Sequence, residues 1–198
     1  MTMLSNVEIR EAIESGEIRI EPFRPDHVQP ASYDLTLANE FKRNQPKWKE
    51  KWDEWAKPHP KYANGVDPLN PETYRPTDDF EVASGITLFA RKGYLLGCTR
   101  ERITLGPSIA AQVGGKSSLA RLGIEVHLTA GFIDAGFSGA ITLEMVNNGP
   151  DDVLLTVGMD IAQLVFYRLG KPADPPYQGR YQGATGTQAS KYHEGRGS

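Results

Sequence analysis

Residues 114–144, GGKSSLARLGIEVHLTAGFIDAGFSGAITLE, hold the densest run of groups able to do chemistry. Gly114 and Gly115 lead into Lys116, Ser117 and Ser118. Backbone N–H groups freed by glycine, two hydroxyls and an ammonium can together surround a phosphate. Asp134 follows in a turn-rich D-A-G segment, and Glu144 sits inside the apolar run AITLEMV. Carboxylates near an anion site suit acid–base work or a metal-bridged phosphate. Read as a strand, AITLEMV puts Thr142 and Val146 on the face of Glu144, with Leu143 and Met145 opposite. A carboxylate on so apolar a strand tends to hold its proton to higher pH, which favours proton transfer near neutrality. An edge-strand charge facing solvent would give the same local pattern, and Asp134 also fits a turn-capping aspartate.

Several other site chemistries are excluded. A P-loop needs glycine where Ala110 stands and a helix after Gly115-Lys116-Ser117, whereas GIEVHL reads as strand. Zinc deamination needs an H-x-E…P-C-x-x-C ligand set, but the only cysteine is Cys98, and the histidines (His27, His59, His127, His193) are scattered. No G-x-S-x-G elbow supports a serine nucleophile. His127 lies in an alternating stretch and reads as a packed or hydrogen-bonded histidine. The net charge of −3 argues against a general nucleic-acid binder, and a single cysteine suits a reducing compartment. With no leader-like start or membrane-length apolar run, the expectation is a cytoplasmic protein without a membrane or nucleic-acid partner.

The elements that would position these groups are short. Ser5-Asn6-Val7-Glu8 has capping-box form ahead of an apolar stripe that stops at Gly16, which predicts a helix over Asn6–Ser15. IRIEPF and PASYDLTL read as strands, and Asp34 falls on the polar face of the second, where a solvated carboxylate is the simple reading. Residues 42–80 differ in composition and hold all three tryptophans; Trp48, Trp52 and Trp55 share one face of a helix expected over about 47–57. That stripe fits a docking face or lid, or packing on its own domain or a sister subunit. The stretch 62–77 reads as loop. Strand signals then recur as GITLFA, GYLLGCT, RITL, SIAAQV, GIEVHLTA, AITLEMV, DVLLTV and DIAQLVFYRL, which implies an all-β barrel or jelly-roll over residues 1–169. Residues 170–198, rich in Pro, Gly, Gln, Ser and Tyr, read as a flexible arm.

PASYDLTL, GGKSSLAR, HLTAGFIDAGFSGAITLE and GMDIAQLVF together resemble the dCTP deaminase branch of the trimeric dUTPase superfamily. The resemblance implies a mainly β fold, a distorted β-barrel or jelly-roll with a short N-terminal helix. It further implies a homotrimer with active sites shared between subunits. Lys116, Ser117, Ser118 and Arg121 match the family's K/R-S-S-L-x-R loop, which holds phosphates and, through serine and arginine, assists deamination; Leu119 and Ala120 complete it. Glu144 matches the glutamate that shuttles protons as water adds to cytosine C4 and ammonia leaves. Thr142 and Leu143 would offer backbone contacts to the pyrimidine. Asp134 matches an aspartate at the sugar 3′ side that, in dUTP-hydrolysing relatives, orients the water attacking the α-phosphate.

Residues 129–134, TAGFID, resemble the bifunctional enzymes that carry dCTP through to dUMP, whereas those that release dUTP look like T-A-H-R-I-D. Thr129, Ala130, Gly131 and Phe132 would therefore line the nucleotide, and Gln163 matches a phosphate-contacting glutamine. Tyr177, Arg180 and Gln182 resemble the family's Y…K-Y-Q-G segment, with Arg180 for the usual lysine and Ala184 where a glutamine stands. Gly183, Gly186 and Thr187 keep the composition of a closing arm. The implied cofactor is Mg²⁺ carried on the triphosphate, with no zinc and no dedicated protein metal ligands. The implied substrate is dCTP, with dUTP a further candidate. A deaminase that stops at dUTP, a dUTPase that never touches cytosine, and a nucleotide-binding module without turnover remain the alternatives.

Overall fold

The computed structural model describes residues 1–44, 77–81 and 85–194. The helix expected over about 47–57, and most of the stretch read as loop, lie outside these residues. Strand β1 (Thr2–Met3) precedes helix α1 (Asn6–Glu14), which forms where the capping box demands it. The Ser5 amide donates to the Glu8 carboxylate at 2.8 Å, and the Glu8 amide donates back to Ser5 Oγ. Ile9 and Ala12 pin the helix to the core, and Gly16, at φ +80°, ends it in a left-handed conformation that costs glycine little.

The strands that follow are β2 (Ile18–Glu21), β3 (Val28–Gln29), β4 (Ser32–Thr36), β5 (Glu40–Asn44), β6 (Thr77–Glu81), β7 (Ile86–Phe89), β8 (Tyr94–Leu105) and β9 (Ile109–Gly115). After helix α2 (Ser117–Ala120) come β10 (Ile124–Glu125), β11 (Phe132–Ile133), β12 (Ser138–Asn147), β13 (Val153–Thr156) and β14 (Asp160–Arg168). One sheet has the order β11-β9-β14-β4-β3, with β1 also on β14. The second runs β10-β12-β8-β5-β6, with β2 on β8, and β13 pairs with β7 separately. Both large sheets feed one core: Tyr33, Leu35, Ile109, Leu164 and Phe166 from the first, Ile103, Leu105, Leu143 and Met145 from the second. The mainly β expectation holds, as two sheets closed on a shared interior.

Four readings need correction. GYLLGCT and RITL are not two strands but one twelve-residue strand, β8, because Arg100 and Glu101 stay extended across the register shift against β12. GIEVHLTA is strand only at Ile124–Glu125; the chain then leaves the sheet. The flanks of the expected insertion, 42–44 and 77–80, belong to the β5–β6 pair, with Lys42 opposite Asp79. Asp34 is not solvated: β4 lies covered on both faces, and Asp34 is only 5% exposed.

A buried carboxylate ties the two sheets together. Glu101 on β8 is 1% exposed; its Oε1 accepts from the Thr36 hydroxyl at 2.6 Å and its Oε2 from the Thr36 amide at 2.9 Å. Nearby, the Thr99 hydroxyl donates to the Glu101 carbonyl, and the Ile141 amide donates to Thr99 Oγ1 where β12 shifts register. Removing the carboxylate strands a buried amide and hydroxyl. Glu101→Ala is therefore expected to cost about 3 kcal/mol in chemical denaturation, and Glu101→Gln, which can still accept and donate at Thr36, clearly less. Equal costs for the two variants would contradict this account of the sheet tie.

Candidate active site

Strand β12 carries Glu144 on the face that the sequence pattern assigns. Leu143 and Met145 are fully buried in the core, while Thr142, Glu144 and Val146 are half-buried on the other face. Burial pushes the Glu144 carboxyl above the ordinary carboxylate range; its own amide, the His127 charge and the Leu128 amide work against that rise. The neighbouring Tyr94 hydroxyl is also pushed up, by burial first and then by the charge of Glu144. On its other edge β12 meets the C-terminal segment at Gly139–Ala140 and β10 at Val146–Asn147. Among the described residues no strand pairs with Thr142–Glu144 on that side. The half-buried carboxylate thus stands at a gap in the ladder, where a planar ligand could meet main-chain groups.

A second group gathers at the end of β9. Gln163 on β14 lies opposite Gly114 on one side and Asp34 on the other. Its amide accepts from the Ser32 hydroxyl at 3.1 Å and donates to the Gly115 carbonyl at 3.3 Å. Lys116 Nζ is 2.7 Å from Asp34 Oδ2, and Asp34 Oδ1 is buried with no hydrogen-bond partner. The ammonium is thus held by a buried carboxylate that would be costly to leave unpaired. Ser117, Ser118, Ala120 and Arg121 are exposed on α2 and its end, whereas Leu119 turns into the core. The amides of Leu119 and Ala120 both donate to the Lys116 carbonyl. A helical turn therefore follows Gly115-Lys116-Ser117 after all. The missing glycine at Ala110, within β9, still separates the segment from a P-loop.

These two groups meet through the segment after β10. The Val113 amide donates to the Gly131 carbonyl at 2.7 Å, and Gly115 faces Val126. Thr129, Ala130 and Phe132 are exposed beside it, while Gly131 is buried. His127 belongs to this segment and not to a strand. The pattern that made it a packed strand residue gave no sign of this, because only Ile124 and Glu125 find partners on β12, and the imidazole lies against Gly131.

Asp134 is exposed in the turn after β11, where its carbonyl accepts from the Phe137 amide. The C-terminal segment runs beside that turn. The Tyr177 amide donates to the Ala135 carbonyl, and its ring lies 5.9 Å from that of Phe137. Gln182 accepts from the Ser138 amide and donates to the Gly136 carbonyl, both at 2.9 Å. Arg180 donates to the Lys191 carbonyl and sits over the Tyr192 ring. Ala184 works through its main chain: its carbonyl accepts from the Ala140 amide and from Arg102. Thr187 is buried and donates to the Glu40 carbonyl, and the Gln188 amide donates to Thr142 Oγ1. Composition understates this segment because main-chain bonds, not aliphatic side chains, hold it. Among the described residues no three His, Cys, Asp or Glu side chains form a metal-binding group, and no helix is long and apolar enough to cross a membrane.

A family model for dCTP deaminase-like proteins matches residues 3–169. The chain is 39% identical to a dUMP-forming dCTP deaminase of Kocuria rhizophila, over 96% of this chain and 95% of that one. It is 41% identical to a dUMP-forming dCTP deaminase of Pseudarthrobacter chlorophenolicus, with the same coverage. A relative from Natronomonas pharaonis, 40% identical over 96% of this chain and 94% of its own, is described only as dCTP deaminase. Among solved structures, 2′-deoxycytidine 5′-triphosphate deaminase from Agrobacterium tumefaciens superposes with a TM-score of 0.58 at 20% identity. That match covers 85% of this chain and 48% of the other, so this chain spans about half the length of that structure, and the likeness speaks to fold alone. On the match over residues 3–169 and the identity with these relatives, the chain belongs to the dCTP deaminase-like family.

Proposed function

We propose that this chain is an enzyme that converts dCTP and two waters to dUMP, ammonia and pyrophosphate. The observation that carries the reading is Glu144: a carboxylate with raised proton affinity on a stretch of β12 that pairs with β8 along one edge and, among the described residues, with no strand along the other. Such a group takes a proton from water as oxygen bonds to cytosine C4. It then returns the proton to the amino nitrogen, so that the C4–N bond breaks and ammonia leaves. Thr142 and Leu143 hold the pyrimidine through the main chain, since the Leu143 side chain is buried in the core. Ser117 and Arg121 assist at the base. Lys116, Ser118 and Gln163 receive phosphate, with Leu119 and Ala120 shaping the turn and Thr129, Ala130, Gly131 and Phe132 lining the sugar side.

Asp134 positions the second water for in-line attack on the α-phosphorus, which expels pyrophosphate. Mg²⁺ carried on the triphosphate would take its ligands mainly from phosphate and water oxygens, with no dedicated protein ligand, and would offset phosphate charge at the reacting centre. Tyr177, Arg180 and Gln182 belong to a segment that closes on the nucleotide. The chain works as a homotrimer in the cytoplasm, without nucleic acid or membrane. The exposed apolar side chains Leu122, Leu128 and Phe132, all between the end of α2 and β11, support a subunit boundary there. The dUMP-forming relatives support the two-step outcome. The Natronomonas pharaonis relative favours a second reading, in which dUTP is the product released.

Glu144→Gln is expected to lower ammonia release by at least about 100-fold while dCTP binding stays within a few-fold. Undiminished release would remove Glu144 from the chemistry. Because its carboxyl is raised in the fold, the folded state holds the proton more tightly than the unfolded one, and stability falls as pH rises through that range. The same variant is therefore expected to melt at or above the wild-type temperature at pH 8, with the difference vanishing below the ordinary carboxylate range. Asp134→Asn is expected to stop pyrophosphate formation and let dUTP accumulate. Pyrophosphate at the wild-type rate would show that Asp134 does not place the attacking water.

A further inference from the structure

Strand β4 carries two buried polar side chains to which the reaction as described gives no part. Ser32 and Asp34 are 7% and 5% exposed and, two residues apart, share one face of the strand. Gln163 on β14 lies directly opposite Asp34 and, on its other side, opposite Gly114. Directly opposed residues of an antiparallel pair point to the same face, so Ser32, Asp34 and Gln163 form one polar group. Each β4 side chain in it holds one side chain that reaches further out, Asp34 the partly exposed Lys116 and Ser32 the half-buried Gln163.

Both holds fix an orientation. The Gly115 carbonyl can only accept, so the side of the Gln163 amide that meets it at 3.3 Å is Nε2, and Oε1 is turned to the Ser32 hydroxyl at 3.1 Å. One N–H of that amide is left to donate elsewhere. The Lys116 ammonium has three N–H groups, and Asp34 Oδ2, 2.7 Å away, takes one of them. Among the described residues Asp34 Oδ1 has no partner, so the carboxylate serves Lys116 alone. The strand beneath is fixed as well, because the Asp34 carbonyl accepts from His27 Nδ1 at 3.0 Å.

We propose that Ser32 and Asp34 are positioning residues for the triphosphate: through Gln163 and Lys116, β4 presents the remaining amide and ammonium N–H groups in fixed directions to the nucleotide's phosphates. The proposal rests on the assignment of Lys116 and Gln163 to phosphate. A lysine on its flexible four-carbon stem otherwise has to be ordered as the ligand binds, at a cost in affinity. Asp34 also repels a polyphosphate directly, and a carboxylate that merely tied up the ammonium would compete with the ligand for it. A double-mutant cycle separates these effects. Direct repulsion is the same with or without Lys116 and cancels, whereas positioning and competition both act through Lys116 with opposite signs.

The test uses the full chain with Asp34→Asn, Lys116→Gln, Ser32→Ala, Gln163→Ala and the two corresponding double variants, with folding checked by circular dichroism. The probe is 2′-deoxyuridine 5′-(α,β-imido)triphosphate with excess Mg²⁺, which has neither the amino group nor the α–β oxygen bridge to lose, and its Kd is read by titration calorimetry. Asp34→Asn is expected to weaken binding by about 3- to 10-fold more with Lys116 present than in the Lys116→Gln background. Ser32→Ala, which changes no charge, is expected to weaken it by about 3-fold with Gln163 present and not at all in the Gln163→Ala background. Equal effects in both backgrounds, or a cycle of opposite sign at Lys116, overturn the proposal while leaving the phosphate reading in place. If Asp34→Asn does not fold, the Ser32 cycle decides alone. Should the wild type not bind the probe, or Lys116→Gln and Gln163→Ala both bind it as the wild type does, the phosphate reading itself fails and the proposal falls with it.

Discussion

Much of this protein depends on holding one ionisable carboxylate partly out of water. Strand β12 buries Leu143 and Met145 on one face and withdraws Glu144 on the other, so the carboxyl keeps its proton longer than a surface glutamate would. Such withdrawal is a cost to folding, and it is sustained because the rest of β12 is well paired. β8 accompanies it along almost its full length, and Thr99 supports the register shift at Ile141. The Glu101–Thr36 tie then fixes β8 to the opposite sheet. Stability in one place underwrites a destabilised group in another.

The second edge of β12 is where the proposed chemistry has room to occur. β10 covers its last residues and the C-terminal segment covers its first, which leaves Thr142–Glu144 between them. Both boundaries are main-chain contacts, as at Ala184, whose carbonyl accepts from Ala140 and Arg102. This explains how alanine can stand where relatives of the motif carry glutamine without releasing the segment. The residues proposed to receive phosphate lie at the end of β9 in the other sheet, where Asp34 holds Lys116. A nucleotide would span the two regions across the Val113–Gly131 contact.

The sequence disclosed the parts of this arrangement that depend on local pattern. The capping box at Ser5–Glu8, the alternation around Glu144 and the stop at Gly16 are each decided by neighbours in the chain, and each appears as read. What depended on distant pairing was hidden. Asp34 sits at a polar position of an alternating strand, yet β4 is buried along its whole length and Asp34 is paired with Lys116 instead of water. His127 looked like a strand residue because GIEVHL alternates, but only two of those residues find a partner. Composition also misjudged residues 170–194, since a parallel bridge and amide bonds leave no mark on amino-acid type. The motif resemblance supplied the candidate site residues; the contacts around them lay beyond one-dimensional pattern.

The central claim is that one site on this chain performs both steps on dCTP. The most direct measurement is a time course with dCTP and Mg²⁺ in which ammonia, dUTP, dUMP and pyrophosphate are separated and quantified together. The account predicts that ammonia, dUMP and pyrophosphate rise in equal amounts from the first turnovers, with no dUTP accumulating. Ammonia matched by free dUTP would contradict the two-step claim, and pyrophosphate without ammonia would contradict the role of Glu144 itself.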